Sequence, residues 1–485
     1  MLKNNKILKR SIFISIIVAI SYFLINFIIG NEKFNTLKVL LNNEQKQLVK
    51  KYIFPYKFIS EQNQKIILQS QKIFQQKLKI NRLDQGLQVT KLYLPLLELD
   101  KKESLTDIEI TESIIKLSNN KNLKKYKLNS GFYYGIYHSY PGSGYIDFFE
   151  NNIFILSARG VLAFKKNIED TEENFKQIKN NINNFIGINQ FKKFKDISLK
   201  DLSIFNDNIY VSYTEEIEEN CWNTSVISGN INYENIEFKK LFSSVDCVHS
   251  IDNIDKQFSA SQAGGRIVKF LDDYILLSIG DYQSRYLVQN IESINGKIIK
   301  INIKNGNYEI ISMGHRNPQG LLFDKENNFI LETEHGPKGG DEINLIKIDK
   351  MNKNKIQNYG WPMASYGEHY GSTEDIKTKK KYEKYPLYKS HSEHGFIEPL
   401  KSFVPSIGIS EITKIENTKY VVSSLKDKSL YFFELKNKKI LSMNRVEVFE
   451  RVRDLKYKNN KLYLFLEDTP SIGIINLELN VTLKI

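Results

Sequence analysis

Four cationic side chains and one run of glycine-bearing acidic turns hold most of the chemistry this chain could perform. The segment Gly314-His315-Arg316-Asn317-Pro318-Gln319-Gly320 presents Arg316, a planar donor fork suited to carboxylates. Beside it stands Asn317, which both donates and accepts. Lys426 and the tetrad Arg451-Val452-Arg453-Asp454 follow further along the chain. On a strand Arg451 and Arg453 point to one face, making a second cationic fork. Three arginines and a lysine gathered at one site imply a small polyanionic ligand. Between the two forks lie Glu334-His335-Gly336-Pro337-Lys338-Gly339-Gly340-Asp341-Glu342-Ile343-Asn344 and Asn358-Tyr359-Gly360-Trp361-Pro362. Carbonyls exposed at Gly-Pro turns, with Asp and Glu close by, are the hard oxygen donors that Ca²⁺ prefers.

Residues so far apart must be brought together by a repeated scaffold, and one is visible from residue 131 onward. Six windows open on Asn or Asp and enter an apolar run: NNIFILSARG at 151, DNIYVSYTEE at 207, DDYILLSIGD at 272, NNFILETEHG at 327, NTKYVVSSLK at 417 and NNKLYLFLED at 459. Each reads as a turn feeding a buried strand. Their spacing leaves room for four short strands per repeat, the unit of a β-propeller, which protects its strand edges by radial repetition. The expected fold is all-β, a six-bladed propeller over 131–485. Asp281, Glu334-His335-Gly336 and Lys426 end their windows, so equivalent strand ends would gather them around one mouth of the central channel.

The rest of the chain reads differently. Residues 1–10 carry Lys3, Lys6, Lys9 and Arg10 without an acid, and 11–30 hold no charge. At about 1.5 Å per residue that run spans a bilayer core of roughly 30 Å. The basic flank keeps the N-terminus cytoplasmic and puts the body on the periplasmic or extracellular side. An uncleaved transmembrane signal anchor is therefore expected, with a cleaved signal peptide as the competing reading. Residues 31–130 are expected to form a mostly helical stalk or cap, from the loose helical spacing across 57–80. Cys221 and Cys247, the chain's two cysteines, exclude a disulfide scaffold or a Cys-rich metal site; they either pair or stay as buried thiols. The net charge of +13 is spread along the sequence, which excludes a nucleic-acid stripe and reads as solvated surface.

The ordered motifs GHRNPQG, EHGPKGGDEIN and NYGWP, with GGRIV before them and LK then RVRD after, resemble the soluble quinoprotein glucose dehydrogenases. That family includes aldose sugar and sorbosone dehydrogenases, six-bladed propellers using pyrroloquinoline quinone (PQQ) and Ca²⁺. The resemblance covers roughly residues 200–485. It implies that Arg316 and Asn317 contact the quinone and that Lys426, Arg451 and Arg453 neutralise its carboxylates. It also implies that the carbonyls of Gly336 and Pro337 hold the Ca²⁺, with Asp341, Glu342 and Tyr359 in the same calcium-binding region. The implied activity is hydride transfer from a sugar or alcohol carbon to Ca²⁺-bound PQQ, with electrons passing on to a membrane quinone or a small carrier.

One departure touches the chemistry itself. The family places a general-base histidine two positions before Gly-Gly-Arg, and here Ser261-Gln262-Ala263-Gly264-Gly265-Arg266 puts Gln262 there. An amide accepts no proton at neutral pH, and general-base catalysis is typically worth 10²–10⁴-fold. Asp281, which matches the aspartate that orients that histidine, is retained. Three outcomes stay open: Asp281 serves as the base, His315 or His335 substitutes, or the propeller binds a ligand or partner without turning it over.

Overall fold

Runs of Ile, Val, Leu, Tyr and Phe bounded by Asn, Asp and Gly fold as strands of antiparallel sheets. The computed structural model describes Ser21, helical residues between 62 and 80, and residues 107–477 apart from 118–120, 130–131, 133–141, 195, 351–355 and 373. The expected cytoplasmic segment 1–10 and the anchor 11–30, Ser21 excepted, lie outside the described residues. No helix among the described residues is long and apolar enough to cross a membrane. Between 62 and 77 every described residue is helical, with Ile66, Ile67 and Ile73 exposed.

Six blade sheets follow one another along the chain, and Lys179–Asn180 and Asn235–Ile236 form a separate two-stranded parallel sheet. Blade 1 contains Gly144–Phe149, Asn152–Ser157, Leu162–Lys165 and Lys176–Gln177. Blade 2 contains Leu199–Phe205, Asn208–Glu218, Cys221–Asn230 and Lys239–Phe242, and blade 3 contains Gly264–Phe270, Tyr274–Ile279, Lys297–Asn302 and Tyr308–Met313. Blade 4 contains Pro318–Asp324, Phe329–Glu334, Asp341–Lys347 and Lys401–Phe403. Blade 5 contains Ile409–Glu416, Lys419–Ser424, Ser429–Lys436 and Lys439–Glu447. Blade 6 contains Val452–Lys458, Lys461–Leu466 and Ser471–Asn476. The leading strands of consecutive blades touch one another, and that of blade 6 touches that of blade 1, closing the ring. This is the six-bladed propeller that the repeat predicts.

All six sequence windows fold as the second strand of a blade. The turn entering that strand often places a residue in the left-handed region, as at Asp207 (φ 57°), Asn328 (φ 57°) and Asn460 (φ 60°). Asn and Asp tolerate this conformation because their short side chains bond locally, which explains the window's opening residues. The longest interval, between blades 4 and 5, accommodates the segment between Lys347 and Lys401, including the helix Ile376–Lys384.

The boundary expected at 131 lies too late. Asn122–Leu128 pairs with Ser471–Asn476, with Leu123 opposite Ile475, and Ile110–Lys116 pairs with Asn122–Leu128. Blade 6 is thus completed by chain from before blade 1, which ties the ring shut and covers an edge. Lysines 124, 125 and 127 hide the alternation that buries Leu123, Tyr126 and Leu128. Cys221 and Cys247 are joined in a disulfide at 5.4 Å between Cα atoms, and Cys221 pairs with His249 on the neighbouring short strand Val248–His249.

Apolar layers fill the wedges between blades, such as Leu156, Val211 and Tyr213 between blades 1 and 2. At the centre stands Arg266 of the Gly-Gly-Arg motif, 3% exposed. Its guanidinium meets Asp201 of blade 2 (2.9 Å), Glu411 of blade 5 (3.1 Å) and Asp454 of blade 6 (3.0 Å). It also donates to the carbonyls of Gln319 in blade 4 (2.6 Å) and Arg453 in blade 6 (2.7 Å), and lies over the Tyr145 ring of blade 1. One side chain from blade 3 therefore touches the five other blades, and it does so directly beneath the site.

Candidate active site

Of the window ends, His335, Gly336 and Lys426 line one cavity, whereas Asp281 and Glu334 do not. A cavity of about 590 Å³ is lined by Gln262, Arg316, Asn317, Gly336, Asp341, Lys426, Arg451 and Arg453, along with residues that sequence reasoning did not single out. Strand ends of blades 3 to 6 supply these groups.

The cationic wall is assembled as expected, with one partner that the sequence reading missed. Arg451 Nε donates to Glu467 Oε2 (2.9 Å), and Arg453 Nη2 donates to Glu467 Oε1 (2.9 Å). Fully buried Glu467 holds the two guanidiniums side by side; burial pushes its pKa up, but Arg453 and Arg451 outweigh that and bring it below the ordinary value. Arg453 Nη1 also reaches Gln319 Oε1 (3.0 Å). Glu467 stands at the end of its window as Lys426 does, so reading every window end alike would have found it. Lys426 is exposed on the rim, while Arg316 is buried and its Nε has no partner. Glu467 and Asp341 are two carboxylates against four cations, which leaves the wall positive, so an anion fits it.

Gln262 keeps half of a histidine's function. With its amide oriented to satisfy its neighbours, Nε2 donates to Asp281 Oδ1 (2.9 Å) while Oε1 accepts from Arg316 Nη2 (3.1 Å) and Gln283 Nε2 (3.0 Å). Asp281 also accepts from Trp361 Nε1 (2.8 Å) and the Gln283 N–H (2.8 Å). Burial raises its pKa, opposed by Arg316 and Arg285, but Asp281 stands behind Gln262 and is not among the residues lining the cavity. His315 is also off the cavity, its Nε2 against Ser312 Oγ (2.8 Å) and its Nδ1 against Glu334 Oε1 (3.3 Å). His335 does line it, and burial lowers its pKa.

Of the five residues expected in one calcium region, Gly336 lines both the large cavity and a small one, Asp341 the large one, and Glu342 and Tyr359 the small one. Gly336 is on the cavity wall, where its carbonyl accepts from Arg316 Nη1 (2.8 Å), and Pro337 is buried behind it. Asp341 touches the cavity but spends its carboxylate on the loop, accepting from the N–H groups of Gly336 (3.2 Å), Gly408 (2.7 Å) and Ile409 (3.0 Å). Glu342 and Tyr359 border a buried acid cluster, where Asn344 Nδ2 lies 3.1 Å from Glu332, 3.0 Å from Glu334 and 3.4 Å from Glu342. The Tyr359 hydroxyl donates to the Leu345 carbonyl (2.6 Å). Three backbone donors thus occupy three of the roughly four lone-pair sites of the Asp341 carboxylate.

A family model for glucose/sorbosone dehydrogenases matches residues 176–475. The chain belongs to that family. Among curated relatives, an uncharacterized protein of Synechocystis is 28% identical over 246 residues, 44% of this chain and 55% of that one. The aldose sugar dehydrogenase YliI of Escherichia coli is 25% identical over 270 residues, 51% of this chain and 67% of that one. The chain thus spans between half and two thirds of the length of these relatives. A crystal structure of a glucose dehydrogenase superposes with a TM-score of 0.54 at 21% identity, covering 69% of this chain and 95% of that one. The fold of this dehydrogenase-family chain is shared with that structure.

Proposed function

We propose that this family member is a PQQ-dependent dehydrogenase of sugars (aldoses) or alcohols. The observation that carries the reading is the wall of Arg316, Lys426, Arg451 and Arg453 around one cavity, balanced only in part by Glu467. PQQ is a planar tricarboxylate, and paired guanidiniums grip such groups with charge-assisted bonds. Arg451, Arg453 and Lys426 would hold its carboxylates, and Arg316 with its unpartnered Nε, together with Asn317, would contact the quinone ring. The carbonyls of Gly336 and Pro337 would carry Ca²⁺, with Gly336 exchanging its bond to Arg316 for the ion. When bound, the pair supplies a two-electron acceptor for hydride, polarised by the cation. Gln262 then serves to fix Arg316 and to cover Asp281. We further read residues 11–30 as a signal anchor, the propeller as periplasmic or extracellular, and a membrane quinone or small carrier as acceptor; the Cys221–Cys247 disulfide supports export.

The test is titration of the purified protein with PQQ and Ca²⁺, read by quinone absorbance and by dye reduction across aldoses and alcohols. Saturable binding with turnover is expected. Binding without turnover would instead favour a second reading, a non-catalytic ligand-binding propeller, whose motive is the amide at Gln262. No binding would remove the cofactor from the account.

A further inference from the structure

We propose that Lys200, on the wall that carries Gln262, is the proton acceptor for the substrate hydroxyl, an inference that rests on the dehydrogenase reading above. Lys200 belongs to Leu199–Phe205, the leading strand of blade 2, and lines the cavity together with Ser259, Ser261 and Gln262. Its Nζ donates to the carbonyls of Ala260 (2.7 Å) and Asp196 (3.0 Å). Ala260 begins the turn Ala260–Gln262, so the amine is fastened to the turn that presents Gln262. Gly265 packs on the lysine stem with φ +113°, where a Cβ would come within 2.3 Å of the Lys200 Cβ.

The bonding pattern suits a base. Two N–H groups satisfy two carbonyls, and the remaining valence is a lone pair in the amine and a third N–H in the ammonium. A proton is gained or lost there without breaking either bond. The charged groups facing Lys200 are Asp196, Arg159 and Arg453, and no carboxylate among the described residues forms an ion pair with it. Burial, helped by the two arginines and opposed by Asp196, lowers its pKa to about 7, so the neutral amine is well populated at neutral pH. Of the other candidates, Gln262 has no basic atom and Asp281 lies behind it; His335 also lines the cavity, but it is not on the turn that presents Gln262.

In the step, Nζ takes the hydroxyl proton as the carbinol C–H bond breaks. The hydrogen and its two electrons leave as hydride to the quinone oxidant, and the C–O bond closes to a carbonyl. Alcohol plus quinone thus become carbonyl plus reduced quinone, with one proton on Lys200.

Three measurements test this. Competitive acetylation of the cofactor-free protein, read by mass spectrometry, should show Lys200 gaining reactivity near neutral pH, well below the bulk of surface lysines. Lys200→Arg keeps donors for both carbonyls yet releases no proton, and should lower kcat/KM by about 100-fold or more. Its PQQ affinity should stay within about threefold of wild type, and Lys200→Met, checked for folding by circular dichroism, should behave alike. Wild-type turnover in Lys200→Arg, or labelling of Lys200 only at alkaline pH, overturns the base assignment alone. A wild type that binds PQQ but oxidises no aldose or alcohol sinks the dehydrogenase reading, and the base assignment with it.

Discussion

The cavity wall and the cluster behind Arg316 carry opposite unbalanced charge, and they lie back to back. On the cavity side, Arg316, Lys426, Arg451 and Arg453 face an open space with Glu467 as shared counter-ion. On the other side, Glu332, Glu334 and Glu342 are buried with neutral donors and His315. Surplus positive charge beside solvent can wait for an anion at small cost. Surplus negative charge in a buried interior cannot wait, and protonation relieves it: burial and mutual repulsion raise the pKa of Glu332 and Glu342 well above the ordinary range. The first region turns its charge toward the cavity, whereas the second is a buried acid cluster in which the pKa values of Glu332 and Glu342 are raised.

The sharpest way to break this contrast is to change the charge of the wall. Arg453→Ala should weaken PQQ binding by about 100-fold or more, roughly 3 kcal/mol, since it removes a buried charge-assisted contact and leaves Glu467 facing the ligand. Glu467→Gln should act in the opposite sense, tightening PQQ by about tenfold while lowering the melting temperature of the cofactor-free protein. Both are read by absorbance titration. Equal affinity in the two variants would mean that the wall's charge does not select the ligand.

A smaller effect concerns proton transfer. In a Lys200→Met background, Gln262→His places an imidazole where its N–H can donate to Asp281 and its other nitrogen faces the cavity. Dye-reduction assays should then show turnover restored to within about tenfold of wild type. Gln262→His alone should change wild-type rate by less than that, because a base is already present. A large gain from the single change would support the non-catalytic reading instead.

The same charge logic explains how far the sequence could be read. Asn- and Asp-led windows mark six second strands because turn chemistry and apolar runs are local, and window ends such as Gly336 and Lys426 meet at one cavity because the repeat is radial. The strands at 110–128 are not legible that way: Ile110–Lys116 pairs only with Asn122–Leu128, whose other partner is some 350 residues distant, and lysines occupy positions that local patterning assigns to solvent. Lys125 is in fact paired with Glu450, a contact that closure of the ring alone creates. Glu467 and Lys200 are missed for a related reason. A carboxylate is informative only once two arginines are seen to share it, and an amine only once its burial is known. Gly-Gly-Arg was legible as a motif, but contact of Arg266 with the five other blades is a property of the closed ring.

The least dramatic expected effect is on stability, and it isolates the acid cluster. The ordinary glutamate value is 4.5, and Glu332 is raised well above it by burial and by Glu334. The folded chain therefore holds a proton at Glu332 over a pH range in which the unfolded chain has lost it. Stability from this group is complete below 4.5 and declines as pH rises through the folded value. Glu332→Gln mimics the protonated state permanently and keeps an acceptor for Asn344. Melting curves in chelator, without cofactor, should coincide for the two proteins near pH 4.5 and diverge upward, the variant melting higher by a few degrees, about 1 kcal/mol, at pH 8. Parallel curves across that range would show that Glu332 stays ionised in the folded chain, and the contrast between the two faces of Arg316 would then rest on something other than protons.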